Sequence, residues 1–230
     1  MFDHRVRQVL APPLERAGAQ LARLGVRPLA LTSMGWVVGI GACVAAATRL
    51  WPLALALWLG NRLLDGLDGP VARAVGATDC GGFFDIVADF SIYGGFVVGV
   101  AIGVPAARLA CLVLLLAYYV SGTAFLALSS LLERRRARYG DERSLRFVGG
   151  LAEGTETVVV YVLFCALPGH AALIAWIFTA AVAVTAVQRV VAGAALLRAP
   201  KPSASHPTAT PPVSGPPREA VRHAQRSRSR

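Results

Sequence analysis

The chain has 230 residues, of which 55% are hydrophobic and only 16% charged, yet its formal net charge is +10 and its mean hydropathy is +0.56. Soluble globular proteins carry about 25% charged residues. The composition excludes a disordered chain, a collagen and a disulfide scaffold, and indicates an integral membrane protein. The four cysteines form no C-x-x-C pair, so neither a disulfide framework nor a zinc site is expected.

The N-terminal segment, residues 1–28, is predicted to be an amphipathic helix on the membrane surface. Arginines alternate there with valines and leucines, a pattern typical of helices that lie in the plane of the interface. The segment lacks an apolar stretch long enough for a cleavable signal peptide. A solvated leader is the alternative interpretation.

Six apolar segments follow, and each is interpreted as a transmembrane helix, which predicts an all-α polytopic membrane protein. A span needs about 20 mostly apolar residues. The segments are 29–50, 52–71, 81–104, 107–132, 155–167 and 171–197. The fifth is short. The second contains Asn61, Arg62, Asp65 and Asp68, so its second half has low hydropathy.

The distribution of arginine predicts the orientation of these spans. Basic residues cluster before the first span, between the fourth and fifth, and after the sixth, whereas the opposite side holds little beyond Arg49 and Arg108. Because lysine and arginine concentrate in cytoplasmic loops, both termini are predicted to be cytoplasmic, with the protein in the cell's inner membrane.

The composition changes at residue 199, which predicts three regions: a juxtamembrane segment 1–28, a membrane domain 29–198 and a tail 199–230. The tail is rich in proline, serine and arginine and is predicted to be disordered in the cytoplasm. Its basic residues favour attraction to anionic lipid, and nucleic acid is not expected as a partner.

The most informative stretch, residues 65–89, holds five of the 13 acidic residues. At about 100° per residue, Asp65 and Asp68 share one face of the second span, and Asp85 and Asp89 share one face of the third. The two pairs are therefore predicted to close on a common centre. Ionisable residues inside spans point to function. Carboxylates without histidine or cysteine suit Mg²⁺ or Mn²⁺ better than Zn²⁺.

Arg73 lies one turn beyond the first aspartate pair, where it could hold a phosphate that the metal also binds. Two alternatives stay open for the acidic stretch. A lone intramembrane aspartate can be a structural hydrogen-bonding group, and an aspartate pair can line a cation path.

These residues resemble the signature of the CDP-alcohol phosphatidyltransferases, D-x2-D-G-x2-A-R followed by G-x3-D-x3-D. All eight positions are filled: Asp65, Asp68, Gly69, Ala72, Arg73, Gly81, Asp85 and Asp89. Seven residues separate the two halves, where the family pattern has eight or nine. The sequence Gly25-Val26-Arg27-Pro28, followed by Leu31-Thr32, also resembles the family's approach to the first span.

The resemblance implies a six-helix homodimer that transfers a phosphatidyl or similar group from a CDP-alcohol such as CDP-diacylglycerol to an alcohol acceptor, releasing CMP. It implies two Mg²⁺ or Mn²⁺ ions per active site and a role for each signature residue. Asp65, Asp68 and Asp85 ligate the metals, and Asp89 both ligates and acts as the general base. Gly69 and Ala72 leave room for the cytidine, and Arg73 approaches the diphosphate.

The sequence indicates the residues that bind the acceptor less clearly than it indicates the metal ligands. Glu153 and Glu156 share one face at the start of the fifth span, where they could bind the acceptor or complement the helix dipole. Arg143, Arg146 and Arg189 could hold a phosphorylated acceptor, or serve orientation and lipid attraction. Phosphatidylglycerophosphate synthases of the family usually have a lysine after the last aspartate, where this chain has Phe90.

Two other functions fit the same residues. One is a cation-conducting membrane protein that uses the intramembrane aspartates. The other is a non-catalytic homologue that only binds a CDP-lipid, against which the complete aspartate set argues.

Overall fold

A computed structural model of the chain describes residues 2–139 and 154–198. Within these ranges the structure consists of helices and contains no strand, so the predicted all-α class is confirmed. The seven helices of this part are α1 Phe2–Arg23, α2 Pro28–Ala47, α3 Trp51–Val75, α4 Asp79–Gly103, α5 Arg108–Tyr139, α6 Gly154–Ala166 and α7 Ala171–Arg198. Short 3₁₀ turns at Pro105–Ala107 and Pro168–His170 lead into α5 and α7.

Four stretches of the described chain are long and apolar enough to cross a membrane. They are Pro28–Ala47, Asp79–Gly103, Pro105–Arg134 and Pro168–Arg198. Helix α3 does not qualify by composition, as its low hydropathy predicted, and α6 has only 13 residues. The assignment of α3 and α6 as the second and fifth spans stays a prediction, and so does the orientation of the termini.

Local signals account for the helix boundaries around the acidic stretch. Pro28 opens α2 in the first turn, where a missing N–H leaves no hydrogen bond unmade. Gly76, at φ +105°, ends α3 in a conformation that disfavours side chains. The Thr78 Oγ1 accepts a hydrogen bond from the Gly81 N–H at 3.1 Å and thereby caps the start of α4.

The core lies between helices α2 to α7 and is centred on an aromatic cluster. Trp58, Phe96, Tyr161 and Phe164 are fully buried there, and the rings of Trp58 and Tyr161 lie 4.7 Å apart. Helices α2 and α4 pack closely, because a Cβ at Gly99 would overlap the Cys43 carbonyl oxygen of α2. This close packing fixes α4 against α2 and thus orients the aspartates of α4.

Helix α1 packs along the C-terminal half of α3. Gly18 is buried against Pro70, and Leu14 lies beside Gly66. The N-terminal segment thus contains a helix that covers the part of α3 carrying the signature. Its position in the membrane interface stays a prediction. The predicted tail, residues 199–230, lies outside the described residues.

Candidate active site

A turn of only three residues, 76–78, joins α3 to α4 and makes the two helices a hairpin. The signature therefore folds back on itself, with its first half on α3 and its second half on α4. The seven-residue spacing between Arg73 and Gly81 is accommodated by this short turn, since Gly81 lies in the first turn of α4.

Three of the four signature aspartates converge as the helical spacing predicts. One carboxylate oxygen from each of Asp65, Asp68 and Asp85 lies within 4.8 Å of the others. Asp68 is buried, with 7% of its surface exposed, and the other two are partly buried. Three carboxylates this close repel one another strongly unless a cation lies between them.

This donor set fits a hard divalent cation. The converging atoms are all carboxylate oxygens, and magnesium and manganese prefer oxygen ligands. Asp65, Asp68 and Asp85 are thus the residues that could hold the metal that the resemblance implies.

Hydrogen bonds from α2 and α3 hold the most buried of these carboxylates and its surroundings. The Thr32 Oγ1 donates to Asp68 Oδ2 at 3.0 Å, and so ties α2 to α3 at the carboxylate itself. Two turns earlier on α3, the Asn61 Nδ2 donates to the backbone carbonyl of Gly35 at 2.9 Å. The position of Asp68 therefore depends on a residue 36 positions away in the chain.

Asp89 occupies a different environment from the other three aspartates. Its Oδ1 accepts a hydrogen bond from Arg62 Nη2 at 2.9 Å, and the same guanidinium lies 3.4 Å from Asp65 Oδ2 through Nη1. Asp89 still lines the small cavity that the three converging aspartates share. The structure thus separates three clustered carboxylates from one that is paired with an arginine.

A second cavity, of about 350 Å³, opens beside the clustered carboxylates between the start of α2 and the α3–α4 turn. Asp68 and Asp85 line this cavity, and so do Gly69 and Ala72. Small residues of the turn complete it, so a bulky planar group meets few side chains there. Arg27 also lines this cavity.

Arg73 reaches toward α1 in this structure. Its guanidinium forms an ion pair with Glu15, and its Nη1 lies 3.3 Å from where a Cβ of Gly69 would be. The side chain therefore lies over Gly69, at the edge of the 350 Å³ cavity, with Glu15 as its acidic partner.

A third cavity, of about 510 Å³, lies between α4, α5, α6 and α7. Phe90 and Tyr93, which follow Asp89 on α4, are part of its wall. Arg189 lines it too and donates from Nη1 to the Ser121 Oγ at 2.9 Å. The cavity therefore combines apolar walls with hydroxyl groups and a guanidinium.

The predicted acceptor residues are distributed unevenly. Arg189 lies in the 510 Å³ cavity, and Glu156 lies in the first turn of α6, beside the lining residue Thr157. Arg143, Arg146 and Glu153 lie outside the described residues.

Three residues near the carboxylates were not singled out from the sequence as functional: Thr32, Arg62 and Tyr93. A signal existed for Arg62, since an arginine inside a span and one turn before Asp65 needs an acidic partner. Thr32 was named only as part of the resemblance at the start of the first span, with no role assigned to it. Tyr93 carries no signal, because tyrosine is an ordinary residue in apolar helices.

The chain is similar to several known proteins. It is 36% identical over 196 residues to the inner membrane protein YnjF of Escherichia coli (strain K12), covering 84% of this chain and 95% of that protein. It is 34% identical over 100 residues to the archaetidylinositol phosphate synthase of Pyrococcus horikoshii, covering 43% of this chain and 53% of that one. No family model matches the chain.

Solved structures share the fold. The Mycobacterium tuberculosis phosphatidylinositol phosphate synthase with CDP-DAG bound superimposes with a TM-score of 0.65 at 19% identity, over 84% of this chain and 96% of that one. The same enzyme with manganese and citrate gives a TM-score of 0.66 at 19% identity, over 84% and 92% of the two chains.

The fold, the carboxylate hairpin and these relatives agree with the signature in the sequence. The chain belongs to the CDP-alcohol phosphatidyltransferase family.

Proposed function

We propose that the protein transfers a phosphatidyl or similar phospho-alcohol group from a CDP-alcohol, such as CDP-diacylglycerol, to an alcohol acceptor and releases CMP. The observation that carries this proposal is the convergence of Asp65, Asp68 and Asp85 within 4.8 Å at the wall of a 350 Å³ cavity. A nucleoside diphosphate needs such a pairing of a metal-binding group with open space for the base.

The donor is proposed to bind in the 350 Å³ cavity. Gly69 and Ala72 line it with little side-chain bulk, which leaves room for the cytosine and ribose. Arg73 lies at its edge and could bind the diphosphate after parting from Glu15. The neighbour that holds CDP-DAG has the same fold, which supports a CDP-lipid as the donor.

The proposed reaction needs a base and a stabilised leaving group. The acceptor hydroxyl attacks the β-phosphorus while its proton passes to Asp89, and the P–O bond to CMP breaks with the electron pair staying on CMP. Asp89 suits the role of base because it lines the carboxylate cavity and directly precedes Phe90, which lines the 510 Å³ cavity. When bound, two Mg²⁺ or Mn²⁺ ions would supply charge neutralisation at the phosphates.

The acceptor is proposed to bind in the 510 Å³ cavity. Its Phe90–Tyr93 wall directly follows Asp89 on α4, so an alcohol there is close to the base. Arg189 offers a guanidinium to a phosphate or to hydroxyl groups of the acceptor. Glu156 and the undescribed Arg143, Arg146 and Glu153 belong to the same proposed acceptor side.

The membrane arrangement is part of the proposal. Helices α2 to α7 are taken as six spans, α1 as an interfacial helix, and both termini as cytoplasmic in an inner membrane, with the protein acting as a homodimer. Support comes from the four apolar helices, from the arginine distribution and from the inner-membrane relative.

Purified protein in detergent or liposomes tests the function directly. With CDP-diacylglycerol, Mn²⁺ and a panel of alcohols, among them free and phosphorylated glycerol and inositol, we expect CMP to appear only with the correct acceptor. The matched control is Asp85→Asn, which keeps the side-chain size and removes one metal-ligand charge. It is expected to release no CMP above background.

The same preparation distinguishes the other functions. Tight CDP binding with no CMP release for any acceptor would identify a non-catalytic CDP-lipid-binding protein. Mn²⁺ flux into liposomes that is independent of nucleotide and unaffected by Arg73→Gln would identify a cation conductor.

A further inference from the structure

Arg62 lies in the middle of α3 and makes more polar contacts than any other residue near the described carboxylates. Its Nε and Nη2 donate to Asn61 Oδ1 at 2.9 and 2.7 Å, and its Nη1 donates to the Tyr93 hydroxyl at 2.7 Å. The remaining contacts go to Asp65 at 3.4 Å and Asp89 at 2.9 Å. These five contacts equal the number of N–H donors that a guanidinium has.

The surroundings of Arg62 hold the guanidinium in one place. Only 11% of its side chain is exposed, and its Cζ lies 4.8 Å from the ring centre of Trp58 and 4.7 Å from that of Tyr93. Asn61 is itself anchored to the Gly35 carbonyl of α2. A planar cation between two aromatic rings, with its donors directed at fixed acceptors, loses little freedom when it binds a carboxylate.

We propose that Arg62 is a positioning residue, which holds the Asp89 carboxylate in place at the wall of the carboxylate cavity and adds one fixed positive charge beside the metal-binding carboxylates. The inference rests on the proposed function, because it assigns Arg62 to the base of that reaction. It concerns a residue outside the family signature, and the contacts above carry it.

Two physical consequences follow from this geometry. Arg62 is on α3 and Asp89 is on α4, so the ion pair fixes the base relative to the helix that carries Asp65 and Asp68. A fixed cation 3.4 Å from Asp65 also repels a divalent ion bound at that carboxylate. Arg62 therefore weakens metal binding while it improves the placement of the base, and these opposite effects can be measured separately.

The decisive variant is Arg62→Gln, which removes the charge and keeps much of the length. We expect Mn²⁺, measured by electron paramagnetic resonance without donor or acceptor, to bind about tenfold more tightly, because one repelling charge is gone. We expect kcat for CMP release to fall at least about tenfold, with KM for CDP-diacylglycerol within about twofold of the wild type.

Two further variants separate charge from geometry. Arg62→Lys keeps the charge but loses the planar fork, so Mn²⁺ affinity should stay at the wild-type value while kcat falls. Tyr93→Phe keeps the ring and removes one acceptor of the guanidinium, with the same expected pattern in milder form. Arg108→Gln is the charge-matched control, since Arg108 lies at the start of α5 and contacts Ala101. It should change neither quantity.

Reduced kcat in Arg62→Gln with tighter Mn²⁺ binding supports both the charge effect and the positioning role. Unchanged Mn²⁺ binding in that variant contradicts the charge effect and, with reduced kcat, still supports the positioning role. A kcat within about twofold of the wild type in Arg62→Gln, or a joint loss of Mn²⁺ binding and kcat in all three variants, overturns it. If Arg62→Gln does not fold, Arg62→Lys and Tyr93→Phe decide by the same criteria. If the wild type releases no CMP, the proposed function fails, and the Mn²⁺ measurements still test the charge effect.

Discussion

Arg73, in the last turn of α3, forms an ion pair with Glu15 of α1, and the two side chains are 61% and 49% exposed. The pair joins the N-terminal helix to the signature residue that is proposed to bind the donor's diphosphate. Glu15 and the diphosphate are both anionic, so they compete for the same guanidinium.

Glu15→Gln is expected to strengthen donor binding. Because an exposed ion pair contributes about 0.2–1 kcal/mol, its removal should lower KM for CDP-diacylglycerol by about 1.5- to 5-fold and leave kcat unchanged. Steady-state CMP release measures both constants. In an Arg73→Gln background the Glu15 substitution should have no further effect. An equal effect in both backgrounds would show that Glu15 acts without Arg73.

Asp85→Asn and Asp89→Asn are expected to differ in kind. Asp85 belongs to the converging cluster, so its loss should weaken Mn²⁺ binding at least about tenfold, since affinity follows the charge of the ligands. Asp89 is paired with Arg62, so its loss should change Mn²⁺ affinity only a few-fold and lower kcat by about 10²- to 10⁴-fold. Calorimetry with Mn²⁺ and single-turnover CMP release measure the two effects. Equal loss of metal affinity in both variants would contradict the distinction.

Thr32→Val tests the hydrogen bond from α2 to Asp68. Valine has nearly the same shape but no hydroxyl donor, and groups that orient a metal ligand typically contribute about 10- to 100-fold in affinity or activity. We expect a loss in Mn²⁺ affinity near the lower end of this range. Thr32→Ser keeps the hydroxyl and should remain within about threefold of the wild type. If serine and valine behave alike, the hydrogen bond is not the reason for the threonine.

Arg189→Gln tests the acceptor cavity. If the acceptor carries a phosphate, loss of the guanidinium should raise the acceptor KM by about tenfold or more, since a hydrogen bond to a charged group contributes about 1.5–3 kcal/mol. The KM for CDP-diacylglycerol should not change, because Arg189 does not line the donor cavity. A rise in the KM for CDP-diacylglycerol alone would show that Arg189 contacts the donor and not the acceptor.

Gly99→Ala tests the packing of α2 on α4. The new methyl group would overlap the Cys43 carbonyl oxygen, and overpacking of this kind costs about 1–3 kcal/mol. Thermal unfolding in detergent should therefore begin at a clearly lower temperature. Gly82→Ala is the control within the same helix, because open space surrounds its Cβ position. An unchanged melting curve for Gly99→Ala would show that the two helices can separate at little cost.

The helices were predictable from the sequence because an apolar stretch of about 20 residues has few alternatives to a helix. The prediction for α5 ended at residue 132, whereas the helix continues to Tyr139 through Glu133 and a run of arginines. Those residues have a high helix propensity, but they are not apolar, so a search for apolar segments does not include them. Hydropathy reports where a helix can meet lipid and says little about where it ends.

The convergence of three aspartates was also predictable, because the helical period relates residues three or four positions apart. The partners of Asp89 and Arg73 were not, since Arg62 is 27 positions from Asp89 and Glu15 is 58 from Arg73. Such pairs depend on how whole helices pack, which no local period describes. The aspartate spacing predicted a metal as the positive charge near the carboxylates, whereas the structure adds Arg62, from the helix that carries Asp65.

The short turn between α3 and α4 has a consequence for the path of the substrates. At a rise of 1.5 Å per residue, Asp68 lies about 10 Å before the end of α3, and Asp85 lies about 9 Å after the start of α4. This depth is about a third of the thickness of a hydrocarbon core. A lipid donor could therefore keep its acyl chains in one leaflet while its phosphates reach the carboxylates. Donor and lipid product would enter and leave through the same leaflet, with no headgroup crossing the bilayer.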